Sequence, residues 1–467
     1  MENISVEELV RRSAQAQKQF EFATQEQADA AARALCKVVF DRAEELAQLA
    51  VEETGMGNYP DKVAKCRTKS QLIWNNMKGK RTVGIIRRLD DLKMLEIGKP
   101  MGVVASIVPC TNPVVTPMSN GAFALKTRNS VVFSPHPKAK LCTQRVVELF
   151  HEELRKLDLP EDLVLTIAAP TIEDSGKLMS LADVVVATGG MGMVKAAYSS
   201  GKPAYGVGAG NVQCIVDRNV DLDAAVQMIM DGRCFDNGLI CLGEQCVFVP
   251  QESYDNFVQT IQKKNGYFIG DADGVERLRK ALFPNNGPIN RSVVGQDACR
   301  VAEIAGIPVP DGTRMLAARG IGPGSQEQLC REKMCPVLTV IPYDTFEHGV
   351  AMVVENLEFE GKGHSVGVHS KDESHIEYVG LKCPVSRIIV NQPTGTTGGG
   401  SYYNGFTPTT TLGCGSWGNN SFSGNFSFEH LMASPMRPPA YLPQKRSGHN
   451  PQKTCFKFEK GKDYGSI

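Results

Sequence analysis

GVVASIVPCTNPVVTPMSNGAFALKTRNSVVFSPHP, residues 102–137, decides the fold. Its first eight residues form a nearly unbroken apolar run of β-formers. The span 111–129 turns into a helix, and SVVFSPHP at 130–137 reads as a second buried strand. The rhythm continues with a helix in CTQRVVELFHEELRKL (142–157), a strand in LVLTIAAP (163–170), a helix in IEDSGKLMSL (172–181) and a strand in DVVVATGG (183–190). Strands that alternate with helices and stay apolar on both faces belong to a parallel α/β sheet.

Upstream, residues 5–55 read as two helices, with apolar spacing at Leu9, Val10 and Ala14, then Ala31, Leu35, Val38 and Val39. Residues 83–107 read as a hairpin around Asp90-Asp91 that leads into the first buried strand. Downstream, a second alternating segment begins at DLDAAVQMIMDGRCF (221–235) and ends near Asn391. Its strand candidates are GEQCVFVP (243–250), PVLTVIPY (336–343), GHSVGVHS (363–370) and SRIIVNQP (386–393). A Gly/Thr/Asn/Ser-rich stretch follows at 394–427, and then a Pro-rich, locally basic tail at 434–467, read as an extended arm.

The 467 residues carry 51 Lys+Arg and 51 Asp+Glu, a formal net charge of zero, which argues against a nucleic-acid partner needing a basic face. No apolar run is long enough to span a membrane, and MENISVEELVRRSAQ lacks the pattern of a secretory signal, so a cytoplasmic location is expected, with association with a microcompartment left open. None of the fourteen cysteines forms a CxxC pair, and none has a His at zinc-finger spacing, so no metal site is expected. Most should be small buried hydrophobes, with one or two carrying chemistry.

Two glycine turns bracket one helix: TGG at 188–190, followed by Gly192, and YGVGAGN at 205–211. A glycine turn at a helix N-terminus offers free N–H groups to a pyrophosphate, although this spacing is not GxGxxG and equally suits a turn without a ligand. Cys241 follows the polar turn Asp236-Asn237-Gly238 and precedes a strand, whereas Cys246 falls inside that strand. A loop cysteine can be activated; a strand cysteine is core.

FDNGLICLGEQ (235–245) resembles the catalytic segment of the CoA-acylating branch of the aldehyde dehydrogenase superfamily, and within it the CoA-dependent succinate semialdehyde dehydrogenases. The resemblance extends through PCTNPVVTP (109–117), SPHPKAK (134–140), residues 187–211, CREKMCPVL (330–338), GHSVGVHS, SRIIVNQP and TTTLGCGSWGNNS (409–421). It implies an α/β, aldehyde dehydrogenase-like fold: a Rossmann-type dinucleotide-binding domain at 1–82 and 98–233, an α/β catalytic domain at 234–393, and a small β oligomerisation element at 83–97 and 394–433. A homodimer or homotetramer would be built on that element. It further implies NAD(P)H as cofactor, coenzyme A as co-substrate, and an aldehyde and its CoA thioester as small-molecule partners.

The resemblance also assigns roles. Cys241 is the nucleophile and Asn112 the oxyanion donor. Ser134, His136 and Lys138 lie where the adenosine ribose is held, with Lys138 able to meet a 2′-phosphate. Thr188, Gly189, Gly190, Gly192 and Gly208 fall on the cofactor turns, and Glu332 matches the glutamate of the nicotinamide ribose. Arg387, with Ser386, is the expected grip for a distal carboxylate, Lys69 the second cation, and Gly243 and His364 further substrate contacts. Hydrolytic relatives carry a water-activating Glu where this chain has Gly206, so thiolysis by CoA is expected in place of hydrolysis. Leu242-Gly243 and Cys110 depart from the semialdehyde pattern, which leaves room for sulfoacetaldehyde or a short neutral aldehyde. A catalytically silent scaffold is the competing reading from another class, opposed by the intact Cys241, Asn112 and Glu332.

Overall fold

The computed structural model describes residues 4–434 and the backbone at 436–437. The basic tail expected beyond these residues lies outside the described part of the chain, as does Cys455.

The strand at the head of the opening stretch, Val103–Val108, is the centre of a five-stranded sheet with all six of its residues buried. The order is Val164–Thr166, Ser130–Pro135, Val103–Val108, Val184–Thr188 and Ala204–Val207, every pairing parallel. Val103, Ala105 and Ile107 pack with the helices Val6–Phe20 and Ile172–Leu181. Val104 and Val108 pack on the other side with Gln25–Asp41, Val115–Lys126 and Lys140–Lys156. Strand order reverses between Val103–Val108 and Val184–Thr188. An open parallel sheet binds its ligand at the carboxyl ends of the strands at such a point. The two segments leaving those ends are the one bearing Asn112 and the glycine turn at 189–190.

A second sheet has seven parallel strands in the order Gly266–Ile269, Met315–Arg319, Val337–Tyr343, Glu244–Pro250, Val212–Val216, Val366–His369 and Ile388–Val390. The chain crosses between the sheets at 208–211, some twenty residues before the boundary expected at 233/234, because Val212–Val216 pairs only within the second sheet. The expected turn at 205–211 is correspondingly shorter, since Ala204–Val207 is the edge strand of the first sheet.

The N-terminal region holds three helices rather than two, Val6–Phe20, Gln25–Asp41 and Ala43–Thr54, followed by Tyr59–Met77. Arg42 interrupts the second without breaking the run of buried Val38, Val39, Ala43 and Leu46, so periodicity alone passes through it. The hairpin is present as Gly84–Leu89 against Met94–Pro100, turning through Asp90–Leu92 with Lys93 left-handed at φ 51°. Met432–Ala433 and Met436–Arg437 add to its second strand.

Asn129 ties this ribbon to the first sheet. Its Oδ1 accepts from the Met101 and Gly102 N–H groups at 2.6 and 2.9 Å, and its Nδ2 donates to the Leu431 carbonyl at 2.7 Å. Replacing it with alanine strands these backbone groups, so N129A is expected to cost about 3 kcal/mol. Urea unfolding followed by circular dichroism checks this; an unchanged midpoint would contradict the assigned role.

Candidate active site

Helix Leu222–Cys234 ends in the loop that carries Cys241, and the loop turns on three successive left-handed residues, Asp236, Asn237 and Gly238, at φ 51°, 53° and 71°. Such conformations persist in non-glycine residues only when surroundings over-determine them, and here they do. The Asp236 carboxylate accepts from the Asn58 N–H at 3.2 Å, Lys62 Nζ at 3.1 Å and Lys65 Nζ at 2.5 Å. Its own N–H donates to Asp61 at 2.7 Å. Beneath the loop the Arg233 guanidinium donates to the carbonyls of Gly238, Gly243 and Glu244 at 2.5, 3.3 and 3.2 Å. No side chain fits at Gly238, where a Cβ would lie 2.3 Å from Arg233 Nη2.

So held, Cys241 opens onto a cavity of about 150 Å³ shared with Asn112, Lys65, Lys69, Phe235 and Leu242. Cys246 is fully buried in strand Glu244–Pro250, as expected. Burial pushes the Cys241 thiol up to about 12, the Glu332 carboxylate pushes the same way and Arg387 opposes them. Asn112 Oδ1 accepts from Lys65 Nζ at 2.9 Å.

Of the five residues expected at the substrate, Lys69 alone lines this cavity. Its Nζ donates to the Gly399 carbonyl at 2.8 Å, and burial lowers its pKa to about 8. Arg387 is 2% exposed and committed to Ser365 Oγ at 3.0 Å, the His364 carbonyl at 2.9 Å and Asn425 at 3.4 Å, so its fork is not free for a carboxylate. Ser386 Oγ is buried without a partner among the described residues. Gly243 closes the loop through its N–H to the Ile240 carbonyl at 2.8 Å. His364 is fully buried with both ring nitrogens unpartnered among the described residues, and burial together with Arg387 keeps it neutral. Its Nε2 lies 3.1 Å from where a Cβ on Gly210 would sit, and that position is 2.4 Å from the Cys241 carbonyl.

On the nucleotide side, helix Met191–Tyr198 starts at Gly190 with no side-chain cap, and a Cβ on Gly190 or Gly192 would meet nothing within 4 Å. Gly189 is nearly as open, and Met191 leans over Gly208. Thr188 Oγ1 faces Thr411 Oγ1 at 3.3 Å. His136 caps the turn Pro137–Ala139 by accepting from the Lys138 N–H at 3.1 Å, and Lys138 is exposed. Ser134 departs from expectation: it is 1% exposed and paired with Ser175 Oγ at 2.8 Å, so its hydroxyl does not reach a ribose. Glu332 Oε1 accepts from the Gly210 N–H at 3.2 Å, and burial raises its pKa to about 8. Gly206 N–H and C=O both bond Tyr198 OH at 3.0 Å, and a Cβ there would lie 2.8 Å from Val194, so a glutamate has no room.

Residues 2–273 match the aldehyde dehydrogenase family. The chain belongs to that family. This aldehyde dehydrogenase is 49% identical over 92% of its length to the succinate-semialdehyde dehydrogenase (acetylating) of Clostridium kluyveri, 94% of which is covered. It is 39% identical over 91% of its length to a sulfoacetaldehyde dehydrogenase of an Acholeplasma species, covering 88% of it. The crystal structure of an acetylating aldehyde dehydrogenase from Geobacillus thermoglucosidasius superposes with a TM-score of 0.90 at 36% identity, over 94% of this chain and 98% of that one. The resemblance read from the motifs therefore holds, as does the α/β fold class.

Sequence reasoning named Lys69 but missed its two companions, Lys62 and Lys65, beneath this aldehyde dehydrogenase's loop. Lys62, Lys65 and Lys69 are spaced i, i+3, i+7 on helix Tyr59–Met77, a stripe that on its own reads as a solvated face. Only the adjoining Asp236 hints that it turns inward. Cys241→Ala should abolish turnover, whereas Cys246→Ala should keep kcat and cost about 1–2 kcal/mol of stability through a small core cavity. Steady-state assays paired with thermal melts check this; equal loss of turnover in both variants would reject Cys241 as the sole nucleophile.

Proposed function

We propose that this aldehyde dehydrogenase interconverts succinyl-CoA and succinate semialdehyde with NAD(P)H through a thioester on Cys241. The observation that carries the substrate assignment is Lys69, an ammonium in the Cys241 cavity whose one hydrogen-bond partner among the described residues is the Gly399 carbonyl. A cation placed there meets the distal carboxylate of a semialdehyde, and a charge-assisted hydrogen bond is the strong kind.

In the oxidative direction the Cys241 thiolate adds to the aldehyde carbon, forming the C–S bond and moving the carbonyl π electrons onto oxygen. Asn112 Nδ2 and the Cys241 N–H are the donors for that oxyanion. The nicotinamide, when bound, supplies the hydride acceptor, or the donor in the reverse direction. Gly189, Gly190 and the free N–H groups at the start of helix Met191–Tyr198 would hold its pyrophosphate, Glu332 a ribose, and His136 the adenosine end, where Lys138 suits a 2′-phosphate without requiring one. The thiolate of CoA then attacks the Cys241 thioester, the new C–S bond forms, and Cys241 leaves as thiolate. With no room for a carboxylate on Gly206, water lacks the base at that place which hydrolysis needs.

Leu242 gives the cavity an apolar wall where the semialdehyde pattern has a hydroxyl, and this leaves room for sulfoacetaldehyde or a short neutral aldehyde as the second reading. We place self-association on the four-stranded ribbon of Gly84–Leu89, Met94–Pro100, Met432–Ala433 and Met436–Arg437, whose outer strand Gly84–Leu89 pairs on one side only among the described residues. We place the protein in the cytoplasm: all thirteen cysteines among the described residues are free, as in a reducing compartment. Among those residues no helix is long and apolar enough to cross a membrane.

Following cofactor oxidation with succinyl-CoA, sulfoacetyl-CoA and acetyl-CoA tests the substrate reading. Succinyl-CoA should lead, and equally poor rates with all three would sink the proposal. Full-rate aldehyde oxidation without CoA would mark a hydrolytic enzyme instead. Lys69→Met should lower kcat/KM for succinyl-CoA relative to acetyl-CoA by about 10- to 100-fold, the worth of one charge-assisted hydrogen bond. Lys69 is charged below about 8 and neutral above it. The succinyl-to-acetyl ratio should therefore hold steady below that value and fall by about tenfold per pH unit above it. A flat ratio across this range would remove Lys69 from the substrate.

A further inference from the structure

We infer that Lys65 is a positioning residue for the oxyanion hole, locking the Asn112 carboxamide in the one orientation that stabilises the transition state. The inference rests on the role proposed above for Asn112. Lys65 projects from helix Tyr59–Met77 and is 8% exposed, and Asp236 is fully buried. One ammonium joins the two sides of the site: Nζ donates to Asp236 Oδ2 at 2.5 Å and to Asn112 Oδ1 at 2.9 Å.

An ammonium has three donors and no acceptor, so it tolerates only the oxygen of a carboxamide against it. With Oδ1 on Lys65, the Nδ2 hydrogens are directed away from the ammonium, and no described residue accepts a hydrogen bond from them. Asn112 lines the same cavity as Cys241, so those free donors are available to an oxygen bound there. A flipped amide would set NH₂ against NH₃⁺ and turn oxygen lone pairs toward the developing negative charge. Losing one oxyanion donor costs about 10²–10³ in kcat, and a carboxamide free to rotate loses part of that.

Asp236 keeps the lock in register. Its carboxylate is shared by Lys62, Lys65 and the Asn58 N–H, while its own N–H, donated to Asp61, belongs to the loop that presents Cys241. The nucleophile's loop and the oxyanion donor are thus referenced to the same buried side chain, although Asn112 lies on the segment after strand Val103–Val108 and Cys241 ahead of strand Glu244–Pro250.

A double-mutant cycle on the full chain tests this, with succinyl-CoA reduction as the assay. Asn112→Ala should lower kcat by about 10²–10³. Lys65→Met should lower kcat by about 10- to 100-fold, with KM for succinyl-CoA changed by less than about threefold, because the lock acts on the transition state. The double variant should fall within about threefold of Asn112→Ala, since a residue acting through Asn112 has nothing left to position. Lys65→Arg, which keeps a charged donor, should recover most of the lost rate. If the double variant loses the full product of the two single effects, or if Lys65→Met raises KM while keeping kcat, the inference is overturned and the Asn112 role stands. Near-normal kcat in Asn112→Ala would overturn both. Should Lys65→Met fail to give a cooperative thermal transition, Lys65→Gln replaces it in the same cycle, with the same non-additivity expected and full additivity again overturning the inference.

Discussion

Arg233 spends its donors on the backbone of one loop, and the site follows from that. A guanidinium with no exposed surface loses its hydration, a cost that is offset only if its N–H groups find acceptors in good geometry. Nη1 and Nη2 find them on the carbonyls of Gly238, Gly243 and Glu244, which bracket Cys241 in the chain, while Nε has no partner among the described residues. The Glu244 carboxyl group lies nearby, its pKa raised by burial to about 7, and accepts from the Thr394 N–H at 2.8 Å. The loop cannot move without stranding a buried cation. That constraint also excludes side chains nearby: a Cβ on Gly395 would lie 2.2 Å from the Gly232 carbonyl, and one on Gly232 2.3 Å from Glu244.

With the loop fixed, the site becomes a meeting of two sheets. The first sheet contributes what leaves the carboxyl ends of its strands, Asn112 and the glycine turn. The second contributes Cys241 from the loop entering a central strand and Glu332 from the segment before Val337–Tyr343. Helix Tyr59–Met77 underlies both with its lysines, and the 394–414 stretch covers them with Gly395, Gly399, Thr409 and Leu412. Neither sheet alone brings Cys241 and Asn112 to one cavity.

Much of this was legible in the sequence. The buried strands of the first sheet declare themselves because both faces are covered, so Val103–Val108 and Val184–Thr188 carry no polar alternation to confuse with helix. Cys241 stood apart from Cys246 because a polar turn precedes one and β-formers surround the other. What escaped has physical reasons. Met315–Arg319 is alanine-rich and Gly266–Ile269 only four residues long, so neither shows a strand period. Arg387 looked like a carboxylate grip because sequence shows a cation but not the acceptors already engaged, here Ser365, His364 and Asn425. Ser134 misled in the same way through its partner Ser175. Residues 394–427 show little periodicity, yet Phe422 and Phe426 pack against Tyr205, a contact between residues some 200 positions apart that no local pattern reveals.

The crossing between the sheets at 208–211 has a mechanical consequence. Gly210 sits in it, its N–H on Glu332 and its α-carbon against the carbonyl of Cys241. A rocking of one sheet against the other hinged on this short link would carry the outer ends of the cleft through the widest arcs. The Cys241 backbone would sit close to the pivot. Long, floppy substrates can then be admitted and released by opening the periphery, while the bond-making atoms keep their spacing.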